Sequence, residues 1–231
     1  MSDSQLVGLA KDFFQNSLDS SPTSAIMRGH KKYFDQIEEL TEEQFQKEKD
    51  IVDTFIKRLN AIEKDNLTSR EKVTHGMLEF ALSSNKDSLL DRSWEFGAGV
   101  AGFTGFLIDY NQQMFVPDSE SADMMLKRLE LYKRLYTQIA DVQKLGLNNN
   151  RVATERNLLR TIDQLENYLA SSLDQDPLLL VNFSPEISDS EISEWKDKAK
   201  KIIEVNIRPT VSAYLDQLKT EHLPKGRGDD N

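Results

Sequence analysis

The sequence predicts an all-α protein, an antiparallel bundle or array of about seven or eight helices in a single domain. Apolar residues recur every three or four positions along most of the 231 residues, which is the spacing of one helix face. Hydroxyl residues three positions before a glutamate or glutamine mark several helix starts. Extended alternation of apolar and polar residues is missing, so at most a minor short strand is expected near 178–183.

The first predicted helix carries an apolar stripe from Leu6 to Leu18. The segment that follows, "SSPTSAIMRGHKKYFDQIEEL", contains Pro22 and Gly29, which interrupt helical periodicity. We expect a loop or a short irregular stretch here.

Two long helices follow this segment. Thr41 and Thr68 each begin a capping-box pattern, and a long apolar stripe follows each of them. Because only a short turn separates the two stripes, the helices should form an antiparallel hairpin.

The second half of the chain continues the helical pattern. A long stripe runs from Met125 to Val142, with Gly146 expected near the helix C-cap. A further helix follows the turn at 148–150. Ser188 opens a last capping box, and the final helix contains Pro209, which should kink it. We expect a helical domain over 1–223 and a flexible tail over 224–231.

Composition excludes several classes of function. The chain carries 39 acidic against 29 basic residues, a net charge of −10, and lacks the basic face that binds nucleic acid. Cysteine is absent, which excludes disulfides and thiol chemistry. The least polar run, residues 97–108, is too short to span a membrane, and no signal peptide is visible. We expect an acidic, soluble protein, either cytoplasmic or exported.

A glycine-rich segment, "WEFGAGVAGFTGFLIDY", contains a literal G-x-G-x-x-G at 97–102. In a nucleotide site this motif follows a buried strand, whereas charged residues precede it here. Close helix packing or a loosened helix start at a cleft is therefore the favoured interpretation. The segment still supplies weak candidate binding residues: Trp94, Gly97, Gly99 and Tyr110.

Histidine offers few candidate sites. His75 and Glu79 lie four apart on one helix face, a spacing that suits metal ligands, but a structural helix pair is favoured. His222 is expected in solvent. Arg28, His30 and Tyr33 lie in the early loop and are weak binding candidates, because loops often carry binding residues; a structural loop is the favoured alternative.

The order of these features resembles the N-terminal part of the bacterial family called domain of unknown function 885. The matching segments are "SPTSAIMRGHKKYFDQIEELTEEQFQKE", "DSESADMMLKRLELYKRLYTQIADVQKLGL" and "NIRPTVSAYLDQLKTEHLPKGR". Together they extend over nearly the whole chain.

This resemblance implies a zinc metallopeptidase-like protein. The family's H-E-x-x-P-G-H-H segment, which supplies metal ligands and a catalytic base, lies downstream of the region resembled. No catalytic or metal-binding residue is therefore carried over, and we expect no cofactor in this chain, although zinc is implied for full-length members. The resemblance implies a helical wall of a cleft, whose partner is a missing catalytic half or a peptide-like ligand.

Three functional hypotheses follow. The leading one is a non-catalytic helical N-terminal domain that forms part of a substrate- or partner-binding cleft. The alternatives are a stand-alone helical scaffold for protein interaction and an enzyme, either a zinc-dependent hydrolase using His75 and Glu79 or a nucleotide-binding enzyme using 97–102. An exposed apolar patch or self-association is also expected.

Overall fold

The computed structural model describes residues 5–97 and 111–228, and within them the protein is all-α, as predicted. The helices are α1 Gln5–Asp19, α2 Pro22–Met27, α3 Glu42–Asn60, α4 Ser69–Asp91, α5 Ser119–Asn148, α6 Glu155–Ala170, α7 Asp189–Ile202 and α8 Arg208–Gln217. The strands are β1 Phe115–Val116 and β2 Asn182–Phe183. None of the helices in these ranges combines the length and the apolar character that crossing a membrane requires.

The helices cluster into two compact units. Unit 1 contains Met1–Ser20 and Leu40–Ser93, and unit 2 contains Ser21–Glu39 and Trp94–Asn231. Each unit is described by itself.

Unit 1 packs α1, α3 and α4 around one apolar core, and the predicted hairpin of α3 with α4 is confirmed. The buried residues of this core are Leu6, Leu9, Val52, Phe55, Leu59, Leu78 and Leu82. The Thr68 capping box is complete, whereas Thr41 only accepts a hydrogen bond from the Gln44 backbone. The Gln44 side chain instead donates to Glu48 at 3.2 Å.

Unit 2 is built around α5, which packs against α7 and α8, while α6 packs against α8. Fully buried side chains on α5 include Met125, Leu129, Tyr132 and Tyr136. From α8, the Tyr214 hydroxyl donates to Gln143 Oε1 at 2.7 Å, which satisfies two buried polar groups in this core.

The short strands β1 and β2 pair in parallel, with Phe115 opposite Asn182 and Val116 opposite Phe183. The short strand expected near 178–183 is therefore confirmed, at the last two residues of that range. The apolar run before it forms a buried 3-10 turn, Pro177–Leu179, because the ring of Pro177 suits the first position of a helical turn.

Gly146 does not end its helix, contrary to the prediction. Helix α5 continues to Asn148, and Asn149 is the C-cap. A Cβ on Gly146 would lie 2.2 Å from the carbonyl oxygen of Glu95, so glycine is required at this point by close packing.

The final helical stretch accommodates Pro209 by widening. Residues Ile203–Ile207 form a π-helical turn, in which the backbone N–H of Arg208 donates to the carbonyl of Ile203. Proline lacks a backbone donor and its ring crowds the preceding turn, and a π turn relieves that crowding. α8 then continues as a regular helix.

The C-terminal residues are packed as far as Arg227, which lies in the residues predicted as a tail. Its backbone pairs with Thr154, and its Nε donates to the carbonyl of Val152 at 2.7 Å. The prediction that His222 lies in solvent is wrong: it is 3% exposed, with Nδ1 3.3 Å from the carbonyl of Gln217. The π turn Leu218–His222 directs this ring inward.

Candidate functional site

The early loop, which carries the weak binding candidates Arg28, His30 and Tyr33, lies at the N-terminus of α5. Lys31 Nζ is 2.5 Å from Asp118 Oδ2, at the residue that caps this helix. Arg28 is exposed and His30 is half-buried, but Tyr33 is buried. The His30 and Tyr33 rings pack edge to face with centroids 6.4 Å apart, so Tyr33 anchors the loop.

Buried polar contacts fix this loop on α5. Arg128, on α5, is fully buried and donates to the backbone carbonyl of Gln36 and to the hydroxyl of Thr23. Glu38 accepts from the Thr23 backbone at 2.9 Å and from the Thr23 hydroxyl at 2.7 Å. Because each buried charge has hydrogen-bonding partners, the loop has one defined position on α5.

Asp118, the N-cap residue of α5, has a lowered pKa because of its hydrogen bonds. Its side chain accepts from Lys31 and from the backbone N–H of Ser121. The hydrogen bond from Lys31, followed by those from Ser121, lowers the pKa of Asp118 to about 2. The carboxylate therefore remains charged and caps the helix at neutral pH.

Two of the other candidates, Trp94 and Gly97, lie in the short segment around Glu95, at the far end of the same helix. Glu95, beside Trp94, packs against Gly146, and its carboxylate lies 2.8 Å from Arg151. Because α5 has 30 residues, the two groups of candidates are separated by roughly 40 Å. Trp94 is half-buried and Gly97 exposed.

The remaining predicted candidates, Gly99 and Tyr110, lie outside the described residues. The structure therefore brings Arg28, His30 and Tyr33 together and places Trp94 and Gly97 elsewhere. As binding residues, all seven stay predictions.

A pocket that the sequence did not indicate lies between the N-terminal turns of α5 and α7, with a volume of about 220 Å³. Its apolar lining comes from Leu126, Phe183, Ile187 and Trp195. The Phe183 and Trp195 rings pack edge to face with centroids 5.2 Å apart. The indole Nε1 of Trp195 donates to the carbonyl of Ala122 at 2.8 Å, which fixes the ring against α5.

The rim of this pocket is acidic. Carboxylates of Asp123, Glu191 and Glu194 line it together with the ammonium of Lys198, so three negative groups face one positive group. Glu191 completes the Ser188 capping box, and the hydrogen bonds from Ser188 are the largest cause of its lowered pKa.

The two helix starts are joined directly across the pocket. The hydroxyl of Ser119 donates to Glu191 Oε1 at 2.8 Å. Because Glu191 is already fixed by Ser188, this bond holds the start of α5 in register with the start of α7. The pocket is therefore formed in advance, since its walls are tied by hydrogen bonds and by the Trp195 indole.

Size and charge limit what this pocket can bind. Pockets for drug-sized ligands occupy about 300–1,000 Å³, so about 220 Å³ accommodates one side chain or a small organic group. An apolar floor with a net negative rim suits a group with a hydrocarbon stem and a cationic head.

Local sequence patterns predict the two helix starts that form this pocket, but not the pocket itself. The Ser188 capping box and the stripe containing Trp195 predict the start of α7, and "DSESAD" predicts the start of α5. Their meeting could not be inferred, because 72 positions separate Ser119 from Glu191.

The His75 and Glu79 pair does not fit a zinc ion. His75 Nδ1 lies 4.0 Å from Glu79 Oε2, and the Glu79 carboxylate accepts hydrogen bonds from Lys64 at 3.1 and 3.2 Å. Zinc is held by about four ligands at roughly 2 Å. Among residues 5–97 and 111–228, no group of three or more histidine, aspartate or glutamate side chains is arranged to hold a metal.

A larger open groove of about 480 Å³ lies in unit 1 between α1 and α3. Its polar side chains are engaged with one another: Arg58 pairs with Asp12 at 2.6 Å, and Gln15 donates to Asp19 at 2.9 Å. This groove is a solvated helix junction, and the pocket between α5 and α7 is the better candidate site.

Comparison with known proteins places the chain in a family. The model of a family described as bacterial protein of unknown function (DUF885) matches residues 22–231. No curated protein matches the chain. The matched residues include the early loop, α5 and α7, and so the whole candidate site. This chain therefore belongs to the DUF885 family of bacterial proteins.

Proposed function

We propose that this chain is a non-catalytic helical domain of a metallopeptidase-like protein. In this proposal the pocket between α5 and α7 binds one basic side chain of a peptide segment, which belongs to a substrate or a partner protein. The first part rests on what the resemblance to the DUF885 family implies, and the match of that family's model to residues 22–231 supports the membership alone. The pocket supports the second.

The observation that carries the proposal is the combination of an aromatic floor and an acidic rim. Lysine and arginine have apolar stems that pack on rings, and charged heads that remain at the solvent edge. The Phe183 and Trp195 rings supply the floor, and the exposed residues Asp123 and Glu194, which line the same pocket, supply carboxylates for the charged head.

Two carboxylates of the pocket have no ion-pair partner among the described residues, which favours a cationic ligand. Asp118 is already paired with Lys31, whereas among the described residues no ion pair engages Asp123 or Glu194. Negative charge is thus neutralised at the loop and left available at the pocket. A cationic side chain entering the pocket would gain two carboxylates at its mouth without displacing an existing ion pair.

Two other functions are less well supported. A stand-alone helical scaffold would need no defined pocket, and the pocket here is tied by specific hydrogen bonds. For a zinc-dependent hydrolase, the candidate ligands are His75 and Glu79, and that pair does not fit the metal.

Selection from a pool of short random peptides tests the proposal. The full chain is immobilised, and bound peptides are sequenced by mass spectrometry. We expect lysine and arginine to be enriched at one peptide position. Enrichment of acidic residues, or of apolar residues alone, would contradict the proposal.

A neutral double variant, Asp123→Asn with Glu194→Gln, is the matched control. Both side chains are exposed, so the fold is retained while the rim loses two negative charges. The basic preference should disappear in this variant. If it persists, the pocket is not the site that selects the peptides.

A further inference from the structure

Helix α4 exposes a continuous apolar stripe. One face of α4 buries His75, Leu78 and Leu82 in unit 1. On another face, Val73, Met77 and Phe80 are 63%, 68% and 75% exposed. Because these positions are four and three residues apart, the side chains adjoin on the helix surface. Three adjacent large apolar groups in water indicate a surface that another molecule covers.

The spacing of this stripe extends along the whole helix. The alternation of three and four residues places Arg70, Ser84 and Asp87 on the same face as the three apolar side chains. This is the repeat of about 3.5 residues that forms the seam between two helices of a coiled coil. The expected occupant of the surface is therefore another helix that lies along α4.

Gly76 supports close approach of that helix. It lies inside α4 beside the stripe, and a Cβ built on it would meet nothing within 4 Å. A glycine in a helix interior is less stable than alanine by about 1 kcal/mol, and no neighbour among the described residues requires it here. The missing side chain leaves space for a group from the approaching helix.

The charged residues at the two ends of the stripe indicate that the helix covering it is α4 of a second copy of this chain. Arg70 stands at the N-terminal end of the stripe and Asp87 at its C-terminal end, and both are exposed. If two copies of α4 pair antiparallel about an axis midway between Met77 and Phe80, Met77 faces the second copy's Phe80. Arg70 then faces the second copy's Asp87. Parallel pairing would instead place like charges together.

We propose that α4 is a self-association surface, through which two copies of this chain form an antiparallel, two-fold symmetric pair. The stripe is self-complementary in the positions of its central apolar residues and its terminal charges, as a two-fold interface requires. With three large apolar side chains from each copy, the contact is small, so the dimer is weak and depends on concentration. This inference is independent of the peptide pocket.

Sedimentation velocity of the full chain over a concentration series tests the proposal. We expect a monomer that shifts toward dimer as concentration rises. Met77→Glu should weaken the dimer by about ten-fold or more, because it places an uncompensated charge in the seam. Val205→Glu, at another apolar position that is 69% exposed, is the matched control. It should leave the affinity of the dimer unchanged. Circular dichroism confirms that each variant is folded.

A charge-reversal series identifies the orientation. Arg70→Asp and Asp87→Arg should each weaken the dimer, whereas the double variant should restore it, because the opposite charges face each other again. A wild-type chain that stays monomeric at every concentration overturns the proposal, and so does a dimer that Met77→Glu leaves unchanged. Failure of the double variant to restore association overturns the antiparallel pairing.

Discussion

Gly146 packs directly against the backbone of Glu95. A Cβ at Gly146 would lie 2.2 Å from the Glu95 carbonyl oxygen and 2.8 Å from its carbonyl carbon. At these distances one of the two backbone segments must move. The segment after α4 is thus held against the last turns of α5, and the ion pair of Glu95 with Arg151 strengthens the contact.

Substitution of Gly146 by alanine should therefore destabilise the protein. The obstructing atoms are backbone, so the clash cannot be relieved by a rotamer change, and we expect a loss of about 2 kcal/mol. That corresponds to a decrease of about 4–8 °C in melting temperature for a chain of this length. Thermal melts followed by circular dichroism measure the change.

Gly8→Ala is the control for this substitution. Gly8 also lies inside a helix, but a Cβ there meets nothing within 4 Å. Alanine should leave the melting temperature unchanged or raise it slightly, because it favours the helical backbone. Equal effects of the two substitutions would contradict the packing of Gly146 on Glu95.

Asp176 and Arg208 form a buried ion pair that substitution can test. Asp176 is fully buried, and its Oδ2 lies 3.2 Å from Arg208 Nε and 3.0 Å from Nη2. Arg208 also donates to the backbone carbonyl of Ser171 at 2.8 Å. Arg208→Met should cost about 3 kcal/mol or more, because it leaves a buried carboxylate without its cation.

A surface ion pair provides the comparison for Arg208→Met. Lys200 Nζ lies 2.6 Å from Asp174, whose side chain is 81% exposed. Lys200→Met should lower the free energy of unfolding far less than Arg208→Met does, since water solvates the released carboxylate. Urea unfolding of both variants measures the difference, and similar losses would show that burial does not govern the Asp176 pair.

The lowered pKa of Asp118 predicts that the free energy of unfolding decreases at acid pH. Its pKa in the folded protein is about 2, below the ordinary value of an aspartate, chiefly because Lys31 donates to it. A lowered pKa stabilises the fold above the ordinary pKa, and this contribution is lost as pH falls from about 4 to about 2. An NMR titration of the Asp118 carboxyl carbon measures the pKa directly.

Lys31→Met should raise the pKa of Asp118 toward its ordinary value, since it removes the largest cause of the shift. Lys32→Met is the control, because Lys32 Nζ lies over the Tyr33 ring at 4.6 Å from its centroid. A wild-type Asp118 that titrates near pH 4, or that does not respond to Lys31→Met, would contradict the contact.

The fold was predictable where local signals decide it. The capping boxes at Thr68 and Ser188 and the stripes that follow them specify α4 and α7, because capping and periodicity act within one or two turns. Local rules predict that Gly146 ends its helix near a C-cap, although its role comes from Glu95, a residue distant in sequence. Such a role is set by tertiary packing and leaves no local pattern.

The candidate site was less predictable for the same reason. The loop with Arg28 and His30 was identified from its composition, but its position on α5 depends on Arg128, which local rules interpret only as one residue of a helix. The pocket depends on Ser119 meeting Glu191 and on Trp195 lying against Ala122. Those contacts arise from the packing of α5 on α7, which periodicity does not specify.

The central claim is that the pocket between α5 and α7 binds a basic side chain, and the indole N–H signal of Trp195 reports on it most directly. Replacement of Trp94, the other tryptophan, by phenylalanine assigns the signal. Blocked tripeptides Ala-Lys-Ala and Ala-Glu-Ala are titrated into the full chain and into a Glu194→Lys variant. We predict a saturable shift with the lysine peptide alone, lost in the variant. No shift with the lysine peptide, or equal shifts with both peptides, would contradict the account.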